Sequence, residues 1–92
     1  MPKANQYRKL ERIIKGFANH RRLEILELLR RTPELSVDEI AERLNSGYEN
    51  ISDHIRKLAI AGLVLKRGDG RHVRHKLTSR AHDVLTFCKT LG

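Results

Sequence analysis

This sequence has few aromatic side chains, one cysteine and no long apolar run. Aromatic residues make up 4% of the chain, tryptophan is absent and there are two prolines. The lone Cys88 cannot close a disulfide within the chain, which fits a reducing compartment. No apolar stretch approaches the ~20 residues that span a bilayer. The opening residues lack the apolar segment of a secretory signal, so a cytoplasmic protein without membrane contacts is expected. Acids are also scarce: 11 Asp and Glu stand against 19 Lys and Arg, a formal net charge of +8. That excess favours a polyanionic partner, although basic surfaces also serve solubility alone. The chemistry of an enzyme is missing too. There is no Ser/His/acid or Cys/His order of the hydrolase kind, no carboxylate pair with a pocket and no glycine-rich phosphate loop. Neither catalysis nor a cofactor is expected.

What is present is helical periodicity. Ninety-two residues make one domain, 1–92. A first helix is predicted from Asn5 to Ala18, with Tyr7, Leu10, Ile13, Ile14 and Phe17 on one stripe. Asn19 suits the N-cap of a second helix, His20 to Arg31, whose leucines and isoleucine cover more than one face. Pro33 ends it. Ser36 and Glu39 have capping-box spacing and open a third helix reaching Leu44. Its exposed side is acidic: Asp38, Glu39 and Glu42. After Asn45-Ser46-Gly47, a fourth helix runs from Tyr48 to Ala61, with Tyr48, Ile51, Ile55, Leu58 and Ala59 inward. Gly62 suits the left-handed position after it, with Leu63 folding back. Leu63 to Arg67 and Arg71 to Thr78 read as strands joined by Gly68-Asp69-Gly70. A last helix, 79–91, is capped by Ser79 and carries Ala81, Val84, Leu85, Cys88 and Leu91.

The order is a winged helix-turn-helix, mainly α with one β-hairpin: α1-α2-α3-α4-β-β-α5. In that arrangement the polar stripe of the fourth helix, Glu49, Ser52, Asp53 and Arg56 with Asn50 and Lys57 beside it, faces a DNA groove. Asn bonds adenine, Arg bonds guanine, and Glu or Asp accepts from cytosine. An ordinary solvated face has the same pattern. Glu49 and Asp53 repel phosphate, so they must read bases or pair with Arg56 or Lys57. The hairpin carries Lys66, Arg67, Arg71, Arg74 and Lys76, with Arg71 near its tip. Arg67, Arg71 and Arg74 are the phosphate-holding candidates, unless these cations only protect a sheet edge.

His72 and His75 point to opposite faces of a strand and His82-Asp83 diverge on a helix, so no metal site is expected. His54 reads as a boundary packing residue. The terminal helices, 5–18 and 79–91, carry more apolar surface than so small a core needs. Leu10, Ile13, Ile14 and Phe17 with Val84, Leu85, Cys88 and Leu91 are the candidate interface of a homodimer, which would set two reading helices on successive turns of a pseudo-palindromic double-stranded DNA site. Alternatively both stripes fold onto their own core.

Several segments together resemble the ArsR-type winged-helix repressors. They are Phe-Ala-Asn-His-Arg-Arg-Leu-Glu-Ile-Leu-Glu-Leu-Leu (17–29), Leu-Ser-Val-Asp-Glu-Ile-Ala-Glu-Arg-Leu (35–44), Ile-Ser-Asp-His-Ile-Arg-Lys-Leu-Ala-Ile-Ala-Gly-Leu-Val (51–64) and Gly-Arg-His-Val-Arg-His-Lys-Leu (70–77). The resemblance implies a homodimeric operator-binding regulator. It puts Tyr48, Glu49, Asn50, Ser52, Asp53 and Arg56 where the family reads DNA, and Arg71 where its wing touches the duplex. Metal-sensing members carry cysteines at the start of the third helix, where this chain has Ser36 and Asp38. The expectation is therefore a metal-independent transcriptional regulator acting as a repressor. The alternatives are a protein-interaction module whose acidic helix face docks a basic partner, and a ligand- or redox-responsive sensor using Cys88.

Overall fold

In the computed structural model, which describes residues 3–92, five helices and one antiparallel hairpin follow the expected order. They are α1 (Ala4–Phe17), α2 (His20–Arg31), α3 (Val37–Leu44), α4 (Tyr48–Ile60), β1 (Val64–Asp69), β2 (His72–Leu77) and α5 (Ser79–Leu91). This is a winged helix-turn-helix.

Local signals explain most of the boundaries. The Asn19 side chain accepts from the amides of Arg21 and Arg22, satisfying two donors that open α2. At α3 the capping box is complete: the Glu39 amide donates to Ser36 Oγ at 3.2 Å, and the Ser36 amide donates to Glu39 Oε1 at 3.0 Å. Asn45 closes α3 in the left-handed conformation, φ 50°. The end of α4 is a Schellman motif: Gly62 at φ 75° donates to the Ala59 carbonyl at 3.0 Å, and Leu63 to that of Leu58 at 2.9 Å.

The core is built from α2, α3, α4, the hairpin root and α5. Ile25, Leu26, Leu29, Ile40, Ile51, Ile55, Leu58 and Leu63 are essentially sealed. Each such side chain stabilises the fold by about 1.5–3 kcal/mol relative to exposure. By contrast α1 buries no residue completely. It leans on α4 at one point of close approach, where Gly16 meets Ala61.

Three details differ from the expectation. The hairpin turn is the two-residue Gly70-Arg71, with Asp69 opposite His72, rather than Gly68-Asp69-Gly70. Gly70 has φ 62° and sits first in the turn, as tight right-twisted hairpins require. Thr78, not Ser79, caps α5, accepting from the Ala81 amide at 3.2 Å. Tyr48 is 54% exposed rather than inward, because the sealed turns of α4 begin only at Ile51.

One element was not foreseen. Leu35 forms an antiparallel bridge to His75, which adds a one-residue third strand at the hairpin root. His75 donates its amide to the Leu35 carbonyl at 3.1 Å, and its Nδ1 lies 2.7 Å from the same oxygen. His75 is 1% exposed, and burial holds its imidazole below the ordinary histidine pKa.

Candidate nucleic-acid interface

The turn between α3 and α4 sets the start of the candidate reading helix. Asn45 turns the chain, Gly47 takes the N-cap of α4, and Asn50 Nδ2 donates to Ser46 Oγ at 3.2 Å. Asn50 is therefore tied to the turn and partly committed. Ile51, Ile55 and Leu58 anchor the inner side of α4. On its outer side Tyr48, Glu49, Asn50 and Arg56 are exposed, while Ser52, Asp53 and Lys57 are half-buried.

The acids on this face behave differently. Asp53 accepts from Arg56 Nη2 at 2.7 Å and pairs with Lys57 Nζ at 3.2 Å. Those two cations hold its carboxyl below the usual carboxylate range. Its negative charge is thus offset within one helical turn. Among the described residues Glu49 has no ion-pair partner. It is the exposed acid left to meet whatever approaches α4.

His54 sits at the helix border. Arg22 Nε donates to its Nδ1 at 3.2 Å, so that nitrogen is unprotonated. Burial first, and then the Arg22 charge, lower its pKa. The same guanidinium donates to the carbonyls of Lys15 and Gly16 at 3.1 and 3.2 Å. One side chain of α2 thereby fastens the end of α1 beside α4.

The wing follows α4 without a linker. Arg67 and Arg74 stand opposite each other in the hairpin, and both are engaged within the chain. Arg67 donates to Glu34 Oε2 at 2.9 Å. Arg74 donates to Asp69 Oδ2 at 2.9 Å and to the Glu34 carbonyl at 3.1 Å, with Glu39 at 3.6 Å. Asp69 is the main cause of its raised pKa. Glu34, the residue these arginines hold, adopts φ 69°, a conformation that costs a non-glycine residue about 1–2 kcal/mol. Arg71, at the second turn position, is exposed and joins no ion pair among the described residues.

The terminal helices leave apolar side chains uncovered. Tyr7, Leu10 and Ile14 of α1 are 41–50% exposed, and Phe87 and Leu91 of α5 are 52% and 71% exposed. Ile13 and Phe17 are half-buried. Val84 is 8% exposed and belongs to its own chain's core, while Leu85 and Cys88 pack against that core. The uncovered edge of α5 is therefore Phe87 and Leu91. Phe87 escaped the sequence reading. The signal was there, since Val84, Phe87 and Leu91 recur at spacings of three and four.

No group of three or more His, Cys, Asp or Glu that could hold a metal occurs among the described residues, and none of their helices is long and apolar enough to cross a membrane.

The HVO_A0114 family model matches residues 18–84. Transcriptional activator HlyU of Vibrio cholerae is 39% identical over 67 residues, 73% of this chain and 61% of that protein. A solved structure of Vibrio cholerae HlyU superposes with a TM-score of 0.83 at 30% identity, covering 97% of each chain. The homodimeric winged helix-turn-helix DNA-binding domain from Mycobacterium bovis, described as a possible ArsR-family regulator, gives a TM-score of 0.88 at 27% identity, over 97% of this chain and 82% of that one. The chain belongs to the HVO_A0114 family and is of the ArsR type. These relatives are transcriptional regulators rather than enzymes.

Within an ArsR-type fold, α3 and α4 are the helix-turn-helix and the hairpin is the wing. The match includes α2 through the wing and stops inside α5. It thus takes in Arg22, Asp53, Arg56 and Arg71, and leaves all of α1 outside.

Proposed function

We propose that this chain is a homodimeric, metal-independent repressor that binds a pseudo-palindromic double-stranded DNA site. The observation that carries the reading is the outer face of α4. It is exposed, rigidly started by the Asn45–Gly47 turn and locally neutralised at Asp53, and a hairpin with an unpaired Arg71 at its tip follows directly. In this reading Arg56 and Asn50 contact base edges, with Tyr48, Glu49 and Ser52 lining the same groove. Arg71 enters the minor groove or meets phosphate, and Lys57, Arg67 and Arg74 add charge along the backbone.

Pairing is supported by the uncovered apolar side chains of α1 and α5 and by the homodimeric Mycobacterium relative. Leu10, Ile14, Phe87 and Leu91 are its centre. Ile13, Phe17, Leu85 and Cys88 lie behind them. A two-fold pair presents its α4 helices to major grooves about 34 Å apart.

Selection of bound fragments from a random duplex pool, followed by footprinting, tests this. The expected product is an inverted repeat with half-sites one helical turn apart. Six to ten phosphate contacts would weaken binding roughly 10³–10⁵-fold between 50 and 200 mM salt. Affinity should be the same with zinc and with a chelator. A reporter placed behind the selected site should fall on expression of the protein. The competing reading, an acidic α4 face docking a basic protein, is weakened by the pairing of Asp53. Absence of duplex affinity at low salt would revive it.

A further inference from the structure

The far end of α4 borders a groove of which the DNA reading uses only Lys57, at the rim. It lies between α1 and the last turn of α4, has a volume of about 470 Å³, and its lining is more apolar than polar. Its floor is Ile13, Gly16, Ile60 and Ala61. Ile60 is 74% exposed, the most exposed of the large apolar side chains. The rim is cationic: Lys9, Arg12, Lys15, Lys57 and Arg80 surround it, with Arg22 at the edge, and none of the residues that line it is acidic. Lys15 and Lys57 have acidic partners at 3.8 and 3.2 Å, Glu11 and Asp53, both outside the lining. Arg80 donates to the Ala61 carbonyl and Arg22 to those of Lys15 and Gly16. Lys9 and Arg12 join no ion pair among the described residues.

The geometry points to a binding site for a free single-chain carboxylate, with its anionic head against Lys9 and Arg12 and a medium-length apolar tail over Ile60. Neither half of the site explains the other. A surface built only for polyanions has no use for an uncovered isoleucine floor. A plain apolar contact is not normally flanked by two unpaired cations, here Lys9 and Arg12, which would be desolvated at a cost. The two together match an amphiphile, and the volume lies within the usual range for small-ligand pockets. The groove also survives pairing of the chains. Arg12 and Gly16 lie on one side of α1, whereas Leu10 and Ile14 are two residues out of phase and face the other way. A partner covering Leu10 and Ile14 leaves the groove open.

The test is titration of decanoate, kept below its micelle concentration, into the full chain while backbone amide spectra are recorded. Saturable shifts are expected at Gly16, Ile60 and Ala61, about tenfold or more tighter than with decanol, which lacks the charge, or with acetate, which lacks the tail. Lys9→Glu with Arg12→Glu should abolish the preference over decanol, and Ile60→Ala should weaken decanoate but leave acetate unchanged. All three positions are exposed, so folding is preserved. Equal binding of decanol or of acetate would overturn the assignment. So would shifts centred on Tyr7, Leu10 and Phe87, or preferential uptake onto phosphatidylglycerol vesicles. The readout needs no duplex, so its failure and the failure of the DNA reading are separate results.

Discussion

Gly16 and Ala61 touch so closely that α1 and α4 have no room for one more carbon between them. A β-carbon on Gly16 would lie 2.5 Å from that of Ala61. Ala61 has no flexible end to swing aside, so the helices would have to part. Gly16→Ala gains about 1 kcal/mol of helix propensity but incurs overpacking of about 1–3 kcal/mol. The expected net result is a lower urea midpoint. Ala61→Gly should lose little in the Gly16→Ala background, a coupling that a double-mutant cycle would measure. Full additivity of the two changes would contradict the contact.

His75 gives stability a pH dependence. Its pKa is lowered by burial, and that of His54 is lowered in the same way. Above the unfolded value of about 6.5 both states are neutral and stability is complete. As pH falls below it, the unfolded chain takes up protons first, so stability is lost progressively toward the lower folded pKa. Urea midpoints should therefore fall from pH 7.5 to pH 5. His75→Leu should flatten much of that slope, at a cost of about 1 kcal/mol for the lost side-chain hydrogen bond at neutral pH. A midpoint independent of pH over this range would refute the account.

Asp53 restrains Arg56 and Lys57. Asp53→Asn removes the charge that holds both, leaving the fold intact because the side chain is solvent-facing. Binding to a selected duplex should tighten, with the logarithmic salt slope steepening by about one unit. An unchanged slope would mean that neither cation reaches phosphate.

Arg71 and Arg67 separate a free wing cation from a committed one. Arg71→Ala should weaken binding about equally on all sequences and lower the salt slope by about one. Arg67→Ala should do less, since Arg67 must first leave Glu34. Arg56→Ala should cost about 1–3 kcal/mol and relax specificity at one base pair. The reverse order of wing effects would exclude the arrangement proposed here.

Phe87 and Ile14 test the proposed association. Phe87→Ser or Ile14→Ser should shift sedimentation toward the single chain without lowering helix content, as neither side chain is sealed. Val84→Ser should instead unfold the protein, because Val84 is core. If Phe87→Ser left the assembly unaltered, another surface would join the chains.

Most of the helices were legible because their signals are local. Asn19, Ser36 with Glu39, and Gly62 with Leu63 each satisfy backbone groups within five residues, and the structure uses all of them. The hairpin was legible as a hairpin, but its turn slipped by two residues at one end. Three small or turn-forming residues, Gly68, Asp69 and Gly70, fit more than one loop, and the Asp69–Arg74 pair helps fix Asp69 in the strand. What could not be read are relations over 40 residues of chain, such as Glu34 with Arg74 and Leu35 with His75. No period links those positions. At the candidate site, helical spacing put the polar side chains of α4 on one face and Asp53 within reach of Arg56, but the ties of Arg67 and Arg74 to Glu34 come from a distant segment and were not legible.

Thr78 joins three elements through one hydroxyl and one amide. Its Oγ1 donates to the Gly62 carbonyl at 2.7 Å and accepts from Ala81, and its amide donates to the Leu63 carbonyl at 3.1 Å. The exit of α4, the end of the wing and the beginning of α5 therefore share a single knot. In any two-chain assembly joined through α5, the distance from one fingertip to the other is calibrated there. Swapping that threonine for valine, nearly the same size, would leave each half well formed yet misaligned for a target of fixed pitch.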